Sequence, residues 1–366
     1  MRRRLTYTQR QKIKKRAVLA VALAAVCGAF AAVPYIASAL PEFKAAKDGA
    51  AAEEFDFPLG GVAAFAVSRA ETPPGAPAAP YEESAAPTEE SDYPAPAPQR
   101  RETDLPVYSQ NLCWYSRDES PGLFVINRTD YTVTPEKYLA EPFPFHGAIT
   151  DKPLVLIVHT HGSESYLPGG CDFYADGETF RAPDDPAQTV VHIGDVLCER
   201  LNELGIPTLH DRTMYDTENF NKAYTFSGEA VKAALKEHPS IKFVIDLHRD
   251  SIFNSDGENV KPLTEINGEE CAQIMLVVGT DGGGNYHPDW RTNMTVAAHL
   301  QQTVNDFYPT LARPMNIRTA AFNQALCRGS LLLECGSCGN TVTEAERAVK
   351  LFAEAYAYMI KEEYER

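Results

Sequence analysis

An α/β fold, with a mixed, mostly parallel sheet flanked by helices, is what the sequence predicts for the larger part of this chain. Three observations predict it. Residues 154–158, LVLIV, form an apolar run of strand length without alternation, as expected of a strand covered on both faces. Residues 188–204 follow with helical spacing of Val191, Val196, Leu197, Leu201 and Leu204, and Gly205 supplies a stop. The pair then recurs, with a helix over 227–238, a strand at IKFVIDL over 241–247 and another at QIMLVVG over 273–279.

The remaining elements continue the pattern. Residues 290–307 read as a helix, LLL at 331–333 as a strand, and 342–363 as a long final helix with a capping box of Thr343 and Glu346. Residues 107–366 therefore make one folded domain. Residues 41–106 are rich in Ala, Pro, Glu and Asp, with runs such as PPGAPAAP that build no core, and read as an extended disordered linker.

Charge and hydropathy organise the amino-terminal part. Residues 1–16 carry eight basic side chains and no acid, so the formal net charge of -16 leaves -24 on the rest, a poor surface for nucleic acid. Residues 17–40 contain no charged side chain, and twenty-four positions suffice to cross a bilayer as a helix. The basic segment would stay in the cytoplasm, placing the acidic bulk outside. Ala37-Ser38-Ala39 resembles a signal-peptidase site, the alternative to an anchor, but the apolar run is longer than a usual signal core. Of eight cysteines, Cys27 lies in the span. Cys335-Gly-Ser-Cys338 has the gap of a metal knuckle but no second pair at ribbon spacing, so it reads as a small-residue turn with room for a local disulfide.

Three of the buried strands run into polar residues suited to a metal site: LVLIV into His159, VIDL into His248, LLL into Glu334. In open α/β sheets ligands bind at the carboxyl ends of strands, so these side chains are expected in one crevice. The stretch His159-Thr160-His161-Gly162-Ser163-Glu164 adds a carboxylate and a second imidazole. Two imidazoles, a carboxylate and a water make an open catalytic zinc site, which gives His159, Glu164 and His248 as ligands and Glu334 as the general base. His161, taken to share a strand face with His159, is the alternate ligand or a supporting residue. Arg249 and Asp250 either hold a substrate carboxylate and orient an imidazole, or pair with each other. Asn323, Gln324, Asn340 and Thr341 read as loop hydrogen bonders and a helix cap, and the other histidines as packed or solvated.

HTHGSESY, IDLHRDS and LLLECGSCGNT, supported by NRTDY at 127–131, INGEECAQIMLVVGTD from 266 and NQAL from 323, resemble the stage II sporulation protein P family of endospore-forming bacteria. The resemblance spans about 107–362 in order and extends to the short amino-terminal anchor. It implies a fold similar to the zinc-dependent N-acetylmuramoyl-L-alanine amidases and a hydrolase that cuts the amide between N-acetylmuramic acid and L-alanine, with endopeptidase activity also attributed to the family. It further implies action on peptidoglycan between mother cell and forespore during septal thinning and engulfment, with stage II sporulation proteins D and M as partners. His159, His248 and Glu334 are the positions onto which the family's metal histidines and glutamate map. A zinc peptidase acting on crosslinks and a non-catalytic wall-binding scaffold are the alternatives.

Overall fold

A computed structural model describes residues 98–113 and 122–365. The basic segment 1–16, the apolar run 17–40 and most of the linker 41–106 lie outside these residues. Among the described residues no helix is long and apolar enough to cross a membrane.

In chain order the elements are β1 (Leu105–Pro106), β2 (Tyr108–Gln110), β3 (Val125–Asn127), α1 (Pro135–Leu139), β4 (Val155–Val158), β5 (Phe173–Tyr174), α2 (Val190–Glu203), β6 (Thr208–His210) and α3 (Ala223–Glu237). Then come β7 (Phe243–Asp250), β8 (Val260–Ile266), β9 (Glu269–Ala272), β10 (Ile274–Gly279), α4 (Trp290–Phe307), β11 (Met315–Arg318), β12 (Ser330–Ser337) and α5 (Val342–Met359). Seven strands form the main sheet in the order β3-β11-β10-β12-β7-β4-β6. Every pairing in it is parallel except β10 with β12. The sheet is thus mixed and mostly parallel, and β4, β7 and β12 point their carboxyl ends to the same edge.

Alternation along β7 explains why all eight of its residues are buried. Phe243, Ile245 and Leu247 enter the main core, which α2 fills with Val190, Ile193, Leu197 and Leu201 at helical spacing. Each such side chain, fully withdrawn from water, contributes roughly 1.5–3 kcal/mol. On the opposite face Val244 packs with Leu156, Val158 and Val231 of α3. Asp246 and His248 continue that second face, and there the site forms. The second face is also where Leu332 of β12 meets Phe322 and Tyr224.

Three local expectations are corrected. The capping box is Thr341 with Glu344, not Thr343 with Glu346, because the helix starts at Val342 and its third residue is Glu344. Glu344 Oε2 accepts from Thr341 N at 3.0 Å, while Glu346 instead takes His192 Nε2 at 2.6 Å. β7 begins at Phe243 and runs three residues past Leu247, so His248 lies inside the strand. Cys335 and Cys338 form no disulfide, and the seven cysteines among the described residues are all free. Cys335 belongs to β12, inside the main core, whereas Cys338 lies past a bulge at Gly336 (φ 70°) and turns its Sγ to Asn259 Oδ1.

Candidate active site

His248 and Glu334 occupy matching positions on β7 and β12, and register partners on parallel strands present their side chains on the same face. Both are almost wholly buried, at 3% and 2% exposed. Asp246, two residues before His248 and so on the same face, sets its Oδ1 3.0 Å from His248 Nε2.

The turn after β4 brings the rest. Asp246 accepts from Thr160 N (2.8 Å) and Thr160 Oγ1 (2.7 Å), which ties the end of β4 to β7. Ser163 donates from N and Oγ to Asp216 at 3.1 and 2.5 Å, and Arg181 braces both partners. Gly162 is required between them, since a Cβ there would come within 2.9 Å of Met214. So folded, the turn sets the His161 ring 5.4 Å from the His248 ring and Glu164 Oε2 3.3 Å from His248 Nδ1. Arg249 N donates to the same oxygen at 3.2 Å. Phe220 stacks on His161 at 4.3 Å, and Tyr224 meets it edge-on at 5.6 Å.

His159 is not part of this cluster. Alternation continues Val155 and Ile157 into His159, which places its ring beneath α2 on the opposite face from His248. There Nδ1 donates to Leu247 O at 2.9 Å, leaving Nε2 to accept from His210 Nε2 at 2.7 Å, and His210 Nδ1 faces Asp195 Oδ1 at 3.0 Å. His159 and His161 therefore do not share a face, because the strand ends at Val158 and the turn reverses the second histidine.

Arg249 and Asp250 do not pair with each other, since neighbours on a strand point to opposite faces. Arg249 donates to Ser165 O (3.1 Å), Ser251 Oγ (2.9 Å) and Phe180 O (2.6 Å), which holds the loop carrying Glu164. Asp250 accepts from Arg313 Nη1 at 2.8 Å. Asn323 and Gln324 are loop hydrogen bonders as expected: Asn323 Nδ2 donates to Tyr224 O, and Gln324 Oε1 accepts from Gly279 N.

Burial and charge act against each other here. Burial pulls the His248 imidazole down, but Asp246 and Glu164 outweigh it and hold the ring protonated well above the ordinary range. Burial raises Glu164, yet Arg249 and His248 bring it to about 2. Glu334 has no such partner: burial and Asp250 push it up to about 8, with His248 opposing. His161 is lowered by burial, partly offset by Glu164, and His159 falls to about 3 through burial and His210.

These residues fit a zinc ion. Imidazole nitrogens and a carboxylate are its usual donors. His161 Nδ1 and Glu334 Oε2 are buried without a hydrogen-bond partner, a costly state that a cation would relieve. The fit is one of chemistry and neighbourhood, because among the described residues no three His, Cys, Asp or Glu side chains already stand as a coordination shell. Asp246 and Tyr224 escaped the sequence reading. Asp246 carried a signal, its place two residues before His248 in a buried strand, whereas Tyr224 reaches the site from a different helix and carried none.

Comparison with known proteins gives this geometry its context. The chain is 29% identical over 223 residues to the stage II sporulation protein P of Bacillus subtilis (strain 168), covering 57% of this chain and 51% of that protein. It thus spans about half the length of the curated relative it matches. Among solved structures, an N-acetylmuramoyl-L-alanine amidase of Nostoc punctiforme is 15% identical with a TM-score of 0.33, covering 59% of this chain and 98% of its own. The CwlD amidase of Clostridioides difficile, solved in complex with the GerS lipoprotein, is 12% identical with a TM-score of 0.36, covering 58% and 97%. Likeness at those scores carries no functional weight. The family model described as stage II sporulation protein P, by contrast, matches residues 82–357, about three quarters of the sequence, and the chain belongs to the stage II sporulation protein P family.

Proposed function

We propose that this chain is a zinc-dependent peptidoglycan hydrolase of sporulation that cuts the amide between N-acetylmuramic acid and L-alanine. His161, Glu164 and His248 are its metal donors and Glu334 is its proton-carrying carboxylate. The observation that carries the reading is the convergence of buried His161, His248 and Glu334 with half-buried Glu164 towards the carboxyl ends of β4, β7 and β12. His161 replaces His159 in the donor set because it is the histidine that stands beside His248.

Zinc bound there would supply Lewis acidity, polarising the scissile carbonyl and lowering the pKa of water. The chain's own residues do the rest. Asp246 holds one edge of the His248 ring, the outer support that orients a ligating imidazole. Glu334, poised near neutrality, takes the proton of the attacking water and returns it to the departing amine. Arg249 fixes the Glu164 loop by its two contacts to the carbonyls of Ser165 and Phe180. The outcome is a lactyl carboxylate on the glycan and a free amino group on the peptide.

We further infer membrane anchoring through residues 17–40, with the residues between there and β1 as a spacer and the catalytic domain outside the cytoplasm, in the space between mother cell and forespore. The basic-then-apolar order of the first forty residues supports this. Stage II sporulation proteins D and M are the proposed partners, on the strength of family membership.

The test is product analysis. Full-length protein incubated with purified sacculi should release intact stem peptides and leave glycan strands without them, and a chelator should stop the reaction. Shortened peptides still attached to glycan would instead identify a peptidase. Protein that binds no zinc and releases nothing would identify a wall-binding scaffold.

A further inference from the structure

Tyr224 stands in the first turn of α3 and is held there from two sides. Its carbonyl accepts from Asn323 Nδ2 at 2.7 Å, and Ser227 Oγ, one turn further on, is 2.8 Å from Thr160 Oγ1. The second contact ties α3 to the turn that carries His161. Gly228 permits the approach of the Asn323 loop, because a Cβ at that position would come within 2.9 Å of Asn323 Oδ1. The Tyr224 ring is perpendicular to His161 (89°, centroids 5.6 Å apart) and lies 5.9 Å from Phe322.

The hydroxyl at the end of this ring is buried and makes no hydrogen bond. Burial raises the pKa of this hydroxyl well above the ordinary range, Asp246, Glu334 and Glu164 add to the rise and Arg318 opposes it, so the group stays a neutral donor beside His161. A buried, unpaired hydroxyl is costly, so an arrangement that holds one rigidly beside a site is best explained by a partner present only in the complex.

Resting on the amidase reading above, we propose that Tyr224 is a further catalytic residue, whose O–H donates a hydrogen bond to the oxygen of the scissile carbonyl as charge builds on it. The water oxygen bonds to the carbonyl carbon, and the C=O π pair moves onto oxygen while Tyr224 keeps its proton and donates. Glu334 accepts the proton of the water and delivers it to nitrogen as the C–N bond breaks and the C=O bond re-forms. Nothing is oxidised or reduced. A donor aimed at the developing oxyanion acts on the transition state more than on bound substrate, which sets its kinetic signature.

Tyr224→Phe in the full chain removes a hydroxyl that has no partner to lose, so folding should persist. On purified sacculi kcat should fall about 10²–10³-fold with KM changed less than about threefold. Zinc content by elemental analysis should match wild type. Affinity for a phosphinate mimic of the tetrahedral adduct should drop about tenfold or more, while affinity for an uncleavable N-methylated amide analogue stays unchanged. A variant whose kcat and phosphinate affinity stay within about twofold of an active wild type overturns the assignment and leaves the amidase reading intact. A wild type that releases no stem peptide overturns the amidase reading, and this inference with it.

Discussion

Glu334 and His248 are register partners on the parallel pair β12 and β7, so a carboxyl group and an imidazole leave one face of the sheet side by side. Their spacing is fixed by backbone hydrogen bonds rather than by loops. The division of labour between them can therefore be tested by altering one side chain without moving the other.

Glu334→Gln keeps shape and burial but cannot carry the proton. Hydrolysis of sacculi should fall about 10²–10⁴-fold while bound zinc stays at the wild-type stoichiometry. Loss of zinc in this variant would make Glu334 a ligand instead.

The two histidines of the HTH stretch should separate cleanly. His161→Ala should lose zinc on dialysis and with it activity. His159→Ala should retain zinc but unfold more easily, by about 1–3 kcal/mol in urea, because Leu247 O and His210 Nε2 lose their partner. The reverse pattern would restore His159 to the donor set.

Chelator-treated protein should lose stability as pH rises. The folded value of His248 is held well above 6.5, chiefly by Asp246 and Glu164 against burial, so its contribution is complete below 6.5 and fades above it. Glu334, raised by burial and Asp250 to about 8 from 4.5, keeps in the folded state a proton that the unfolded chain has already lost, which also lowers stability as pH climbs between those values. Glu164, depressed to about 2, has its full effect above 4.5 and adds no slope in this window. Below pH 6.5 His159, lowered to about 3 by burial and His210, and His161, lowered by burial, take up protons on unfolding and oppose this trend, so urea midpoints should fall from about pH 6.5 to about pH 8, less steeply in Glu334→Gln.

Lys261 and Glu344 form a buried pair at 2.5 Å, and Glu344 also accepts from Asn340 Nδ2 and Thr341 N at the start of α5. Lys261→Met strands that carboxylate and should destabilise the fold by about 3–5 kcal/mol. Adding Glu344→Gln to it should recover part of the loss, measured by the same urea titration.

Much of this was legible in the sequence. Unalternating runs such as 154–158 marked doubly covered strands, and the parallel ordering of β4, β7 and β12 followed from the helices between them. His248 and Glu334 stand out because each follows an apolar strand run, and Glu164 because of its spacing from His159. The choice between His159 and His161 was not legible, since it depends on the residue at which β4 stops and on its register with β7, and a one-residue difference sends a side chain to the other face. Tyr224 was illegible for a different reason: α3 is docked on the site by Asn323 and Thr160, contacts that span long stretches of sequence. The capping box was misplaced by two residues because Thr343-Glu346 has the same spacing as the true Thr341-Glu344 pair.

Anomalous scattering at the zinc edge, from crystals of protein purified without chelator, tests the central claim most directly. One peak is predicted, bounded by His161, Glu164 and His248 with Glu334 beside it. A peak between His159 and His210, or none in protein that still cleaves sacculi, would contradict it.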